Sequence, residues 1–186
     1  DRGPCSQELL NRLLNQPLAA SEAVYLRGNH EDIMLEFMDL GTRGPQWLRH
    51  GGRETLESYG VTAPDRGAEA DFTAAQAALR AALPARHRAF LDATQLSHRE
   101  GDYLFVHAGI KPGVEIAAQD SNDFMWIRGE FLDSTADFGV CVVHGHTIED
   151  HAVVRLNRIG LDTGAYASGR LSCAVIEGDH VRLLQT

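Results

Sequence analysis

No apolar run in this chain approaches the roughly 20 residues that a membrane-spanning helix needs, and no signal peptide is visible at its start. Clustered basic residues are missing too. The formal charge of the 186 residues is −9 at pH 7, which argues against a nucleic-acid surface, because phosphate backbones demand grouped Lys and Arg. Cysteine is scarce: Cys5, Cys141 and Cys173 lie far apart with no C-x-x-C pair, so neither a disulfide framework nor a zinc knuckle is indicated, and a reducing cytoplasm fits. There is no internal repeat and no initiator Met. What remains is an acidic globular chain in which one or two placed arginines could still grip a phosphate. Its hydrophobic content, 44%, is enough for a core, and a single domain over residues 1–186 is the expectation.

Helical and strand signals then place the polar blocks. Leucines at 9, 10, 13 and 14 have helical spacing over residues 6–16, with Ser6 as a cap and Pro17 as the stop. Residues 23–26 read as a short buried strand. Its exit delivers Arg27-Gly28-Asn29-His30 to a helix starting near Glu31, in which Ile33, Met34, Phe37 and Met38 share a face. Residues 41–95 read as a helical insertion, broken by a Pro, Gly and Asp-rich stretch at 63–71 and by Pro84. Strands return at 96–99 and 103–106 around a Glu100-Gly101-Asp102 turn, at 140–143, and in the glycine-punctuated tail at 152–156, 160–162, 171–177 and 181–184. A strand, then a polar residue, then a loop, repeated with helices between, puts chemistry on the carboxyl ends of several strands.

Four blocks carry residue types that bind metals and anions: Asp1-Arg2-Gly3-Pro4, Arg27-Gly28-Asn29-His30-Glu31, His107-Ala108-Gly109 and His144-Gly145-His146-Thr147. Asn29 offers a neutral oxygen to a hard cation, and a helix N-terminus behind it favours an anion. His107 leaves an apolar strand before two small residues that let the backbone pass close to a metal. His144 and His146 alternate about Gly145, and strand periodicity alone does not choose between them. Asp162 and Tyr166 fit a pocket lining or a turn equally well. His50, His87, His98, His151 and His180 match no ligand spacing and read as surface residues. Other chemistries drop out: His30-Glu31 lacks the second His of a zinc-protease helix, residues 164–169 lack the Lys and Ser/Thr of a P-loop, and no Cys has an Arg at phosphatase spacing.

The order of these blocks resembles the bacterial-type metal-dependent serine/threonine phosphoprotein phosphatases, a branch of the calcineurin-like metallophosphoesterases. Their blocks read G-D-x-H-G, G-D-x-x-D-R-G, G-N-H-E, H-A-G and G-H. Asp1-Arg2-Gly3 resembles the end of the second block, and Trp126-Ile127-Arg128, residues 142–147 and residues 159–165 resemble the small bacterial members. The first block and the first Asp of the second have no counterpart. The resemblance therefore implies an N-terminally truncated chain: an α/β fold, a β-sandwich flanked by helices, without its N-terminal strand-helix-strand region.

The resemblance also implies roles. Asn29, His107 and His146 would be metal ligands, with His144 behind them, hydrogen-bonded to a carbonyl. His30 would be the general acid, with Asp1 orienting it and raising its pKa. Arg2 and Arg128 would bind the substrate phosphate. Two divalent cations, manganese favoured over iron or zinc, would activate a hydroxide against a phosphomonoester, foremost phosphoserine or phosphothreonine in proteins, then phosphotyrosine or a small phosphoester. Because three ligands have no counterpart, including the carboxylate that bridges the metals, these 186 residues are expected to be inactive or weakly active. The rivals are a dinucleoside polyphosphate hydrolase on the same scaffold and a non-catalytic module that binds phosphate or a partner.

Overall fold

The computed structural model describes residues 2–15, 22–65 and 69–186. The chain divides into two compact units, Asp1–Thr94 and Gln95–Thr186.

The first unit is helical: α1 Ser6–Asn15, α2 Asn29–Leu40, α3 Gly44–Trp47, α4 Arg53–Ser58, α5 Glu69–Ala82 and α6 Ala85–Asp92. Leucine spacing makes α1, but Ser6 is its first turn rather than its cap. The Ser6 hydroxyl meets Thr55 Oγ1 at 3.1 Å, and Gln7 N–H donates to Ser58 Oγ, tying α1 to α4. In α2, Ile33, Met34, Phe37 and Met38 are buried as their spacing predicts, with Phe37 against Trp47 at 5.4 Å. The helix ends at Gly41, whose φ of 73° suits a residue without Cβ and whose N–H returns to the Phe37 carbonyl. Gln76 of α5 donates to the carbonyls of Phe37 and Met38, satisfying acceptors that a helix end leaves open.

Two further expectations fail in this unit. Residues 23–26 form no regular strand, since Leu26 alone bridges and the segment is half-buried at most. Side chains hold it instead of a ladder: Tyr25 meets Phe90 edge-on at 4.8 Å, and Arg27 donates to Thr94 Oγ1 and to the carbonyls of Leu91 and Asp92 at the end of α6. His87, expected at the surface, is fully buried. Its Nε2–H donates to Asn11 Oδ1 at 3.1 Å, and its Nδ1 accepts the Tyr59 hydroxyl at 2.8 Å, so a neutral imidazole satisfies both partners. Burial lowers its pKa, with Arg86 adding to the effect.

The second unit is a mixed α/β layer. Its strands are β1 Ser97–Glu100, β2 Tyr103–Val106, β3 Cys141–His144, β4 Val153–Val154, β5 Arg158–Gly160, β6 Ser172–Glu177 and β7 His180–Gln185. The first five form one sheet in the order β1-β2-β3-β5-β4, parallel across β2, β3 and β5 and antiparallel at both edges, while β6 and β7 form a separate hairpin. The Tyr103 hydroxyl links the two sheets by donating to the Gly178 carbonyl at 3.0 Å. The hairpin expected around Gly101 is present, with Glu100 opposite Tyr103 and Gly101 at φ 55°. Leu104, Val106, Val142 and Ile159 fill the parallel centre, as strands covered on both faces require.

Helices α7 Ser121–Trp126 and α8 Gly129–Leu132 cover the sheet through Phe124 and Phe131, and α9 Ala165–Ser168 follows β5. A Cβ on Gly109 would lie 2.3 Å from the buried Phe131 ring. Gly109→Ala is therefore expected to destabilise the protein by about 1–3 kcal/mol through overpacking, read as a lowered midpoint in a thermal melt. An unchanged midpoint would mean that Phe131 can move aside.

Candidate functional site

Each unit carries its own cluster of the residues singled out from the sequence. In the first, Asn29 opens α2 one residue after Gly28, and both are buried. Glu31 folds back so that its carboxylate accepts the Gly28 N–H at 2.9 Å, and Asp32 N–H donates to the Gly28 carbonyl. The Glu31 carboxylate thus supplies one arm of a cap at the helix start, and the Arg27 clamp on α6 fixes the chain entering it. His30, half-buried on the first turn, has its pKa pushed down to about 4, first by burial and then by the Arg2 guanidinium. The rise expected from Asp1 is a separate matter, since Asp1 lies outside the described residues.

Arg2 is brought to this cluster by a glycine. At φ 117° Gly51 occupies a conformation that L side chains avoid, and a Cβ there would sit 2.5 Å from the Arg2 backbone nitrogen. Gly52 is pressed against the Trp47 ring, so the kinked turn 48–52 is held on one side by a buried aromatic and on the other by Arg2. His50 rides on that turn. Expected as an ordinary surface residue, it is exposed, yet its pKa is lowered by burial, then by Arg2 and His30. The one sequence signal for it was the Gly-Gly pair that follows. A small cavity of about 70 Å³ lies beside His30, lined by Leu9, Leu10, Met34 and Tyr59 among others. A larger hollow between residues 60–65 and the alanines of α5 contains no imidazole among the described residues, so volume does not mark the chemistry here.

In the second unit the topology does the gathering. Strands β2 and β3 are parallel neighbours with Phe105 opposite Val143, so His107 and the 144–147 loop leave the sheet at the same edge. Gly145 N–H donates to the His107 carbonyl at 2.9 Å, and Thr147 N–H to the Gly145 carbonyl at 2.7 Å. Strand alternation stops at His144, because His146 turns to φ 64°. The imidazoles of His107 and His146 converge, Nε2 to Nδ1, at 3.1 Å. His144 goes the other way, into the core, edge-on to Phe131 at 5.0 Å and donating from Nδ1 to the Gly145 carbonyl at 3.1 Å.

The Trp126 ring stands 6.2 Å from that of His146, and exposed Arg128 donates from Nη1 to Thr147 Oγ1 at 3.0 Å, one residue from His146. Asp162 is a turn residue, its Oδ1 accepting the Gly164 N–H, and Tyr166 is exposed. Ligand nitrogens at about 2.0–2.1 Å from one ion stand roughly 3 Å apart, so the His107–His146 pair has the spacing of two ligands on one cation. Among the described residues no group of three His, Cys, Asp or Glu is placed to complete such a sphere. The pair fits part of a metal centre and not a whole one.

No family model matches the chain. A curated relative does: serine/threonine-protein phosphatase 2 of Escherichia coli (strain K12), 30% identical over 186 aligned positions that cover 92% of this chain and 73% of that protein. The chain belongs to the calcineurin-like metallophosphoesterases. A crystal structure of a protein assigned as a diadenosine tetraphosphatase superposes with a TM-score of 0.64 at 18% identity, covering all of this chain and 76% of the other, and shows the shared fold. Hydrolysis of phosphoesters is the chemistry of this metallophosphoesterase family. Among the described residues no helix is long and apolar enough to cross a membrane.

Proposed function

We propose that this metallophosphoesterase hydrolyses phosphomonoesters with divalent metal, phosphoserine and phosphothreonine in proteins first and phosphotyrosine or small phosphoesters second. The observation that supports it most directly is the His107–His146 imidazole pair at 3.1 Å on the carboxyl ends of two parallel strands, with the Arg128 guanidinium fastened beside it. Two cations are the family's number, and the oxygen and imidazole donor set suits manganese, with iron or zinc as alternatives. The three free cysteines agree with a cytoplasmic setting.

The roles divide as follows. In the second unit His107 and His146 would hold a cation, and in the first Asn29 offers a neutral oxygen suited to a metal. A bound divalent cation supplies Lewis-acid polarisation and charge neutralisation at the phosphoryl group. Arg128 of the second unit, held by Thr147, and Arg2 of the first, seated on Gly51, would each be suited to phosphate oxygens through a guanidinium fork. His30 would deliver its proton to the leaving oxygen. A phosphate dianion beside Arg2 and His30 opposes the burial that holds this imidazole neutral, so substrate itself raises the proton affinity the step requires.

The test is hydrolysis of p-nitrophenyl phosphate, a phosphoserine peptide and diadenosine tetraphosphate with manganese, on this chain and on any N-terminally longer form, before and after exhaustive chelation. Turnover undiminished by chelation sinks the metal chemistry. Preference for diadenosine tetraphosphate over the phosphopeptide moves the substrate to the dinucleoside polyphosphates. Calorimetric titration of these 186 residues with manganese is expected to show at most one weakly bound ion, and two tight ions per chain would contradict the partial sphere.

A further inference from the structure

We propose that Arg158 is a positioning residue for the His107–His146 pair, acting through His144. The proposal rests on reading that pair as ligands of one cation. Arg158 lies at the start of β5, opposite Val142 of β3, and is 2% exposed. Its Nη1 stands 3.2 Å from His144 Nε2. A guanidinium has donors and no acceptor, so His144 Nε2 must accept and the ring proton must reside on Nδ1. From Nδ1 it is donated to the Gly145 carbonyl. The Gly145 N–H is donated in turn to the His107 carbonyl, and Thr147 N–H reaches the Gly145 carbonyl from the far side. Gly145 is thereby held at both its N–H and its C=O, and the chain leaves it through His146 at φ 64°, a conformation uncommon for a residue with a Cβ. One unbroken line of bonds runs from Arg158 to the backbone of both histidines that face each other.

Two further observations separate this role from ordinary packing. Among the described residues Arg158 makes no ion pair, and its buried Nε has no hydrogen-bond partner. A buried guanidinium left in that state is costly, and an apolar side chain of similar size would serve packing better. Gly160 is cleared for the ring: a Cβ there would meet His144 Cε1 and Nε2 at 3.2 Å and Arg158 Nη1 at 3.4 Å. The fold thus keeps both a donor for Nε2 and the room for the ring to receive it. Ligand-bearing loops are commonly oriented by such outer partners, whose loss weakens metal binding 10- to 100-fold.

The experiment uses the 186-residue chain without metal and then with manganese. Long-range proton–nitrogen NMR of the histidines should show His144 fixed with its proton on Nδ1. In Arg158→Met that tautomer should be lost and the His107 and His146 ring signals should move, while Arg158→Lys, which restores a donor, should return them part of the way. Gly160→Ala, which leaves the arginine in place and displaces the ring, should reproduce the Arg158→Met spectrum. Manganese affinity should fall 10- to 100-fold in Arg158→Met and recover in the lysine variant. Unmoved His107 and His146 signals in a folded Arg158→Met protein would overturn the proposal. Signals that respond to Arg158 in a chain that binds no manganese would uphold the positioning and reject the metal reading beneath it.

Discussion

His30→Asn, introduced into an N-terminally longer form that restores the missing ligands, is expected to lower kcat by about 10² to 10⁴, the range that a positioned general acid contributes, while leaving manganese affinity within a few-fold of the parent. The asymmetry follows from where the side chain stands. Asn29 is buried at the helix start, whereas His30 lies one residue on, half-buried beside Arg2. Removal of the imidazole withdraws the proton donor and leaves the Asn29 oxygen, the Glu31 cap and the Arg27 clamp intact. Asparagine keeps the polar volume, so the loss registers in chemistry rather than folding. A good leaving group needs little protonation, and p-nitrophenyl phosphate should lose less than a phosphoserine peptide. Steady-state kinetics on both substrates, with manganese titrated separately, decide the matter. Equal losses of kcat and metal affinity would take the general-acid role from His30.

How much of this was legible beforehand follows the range of the interactions involved. The buried face of α2, the Gly101 hairpin and the strand ending at His144 come from local periodicity and turn chemistry, and all three are where the spacing puts them. The convergence of His107 on His146 rather than His144 needed more than alternation, because the switch is a positive φ at His146 that no residue type announces. His87 reads as a surface residue from the sequence because its burial depends on Tyr59 and Asn11, partners 28 and 76 positions away. Arg158 is silent in the sequence for the same reason: its partner is 14 positions off, on another strand, and an arginine in a short strand carries no sign of burial. Residues 23–26 have strand composition but, among the described residues, no neighbour to pair with beyond a single bridge at Leu26. Composition proposes a strand, and only a partner strand makes one.

Acidification below about pH 6.5 should destabilise the protein, and the imidazoles of His144 and His30, both lowered to about 4 by burial, are the main reason. Burial lowers the His144 imidazole from its ordinary value near 6.5 to about 4, with Arg158 and His107 pushing the same way and the Gly145 carbonyl and Asp162 opposing. Between those two values the unfolded chain binds a proton that the folded chain refuses, so stability rises with pH across the interval. It is fully present above 6.5 and drains away as pH falls toward 4. The drop corresponds to about 3 kcal/mol, a large share of what holds a domain of this size together. Buried His87 adds in the same direction. The carboxylate effect lies lower: Asp39, hydrogen-bonded by Arg88, has its pKa depressed below the usual 3.8, and its contribution is lost only beneath that value. The two causes therefore occupy different windows and can be told apart. Chemical denaturation at pH 7.5 and pH 4.5 should show the loss, and His144→Gln, which cannot take up the proton, should remove the His144 share of the slope in that window while the shares of His30 and His87 persist. A His144→Gln protein as acid-sensitive as its parent would place the effect on another residue.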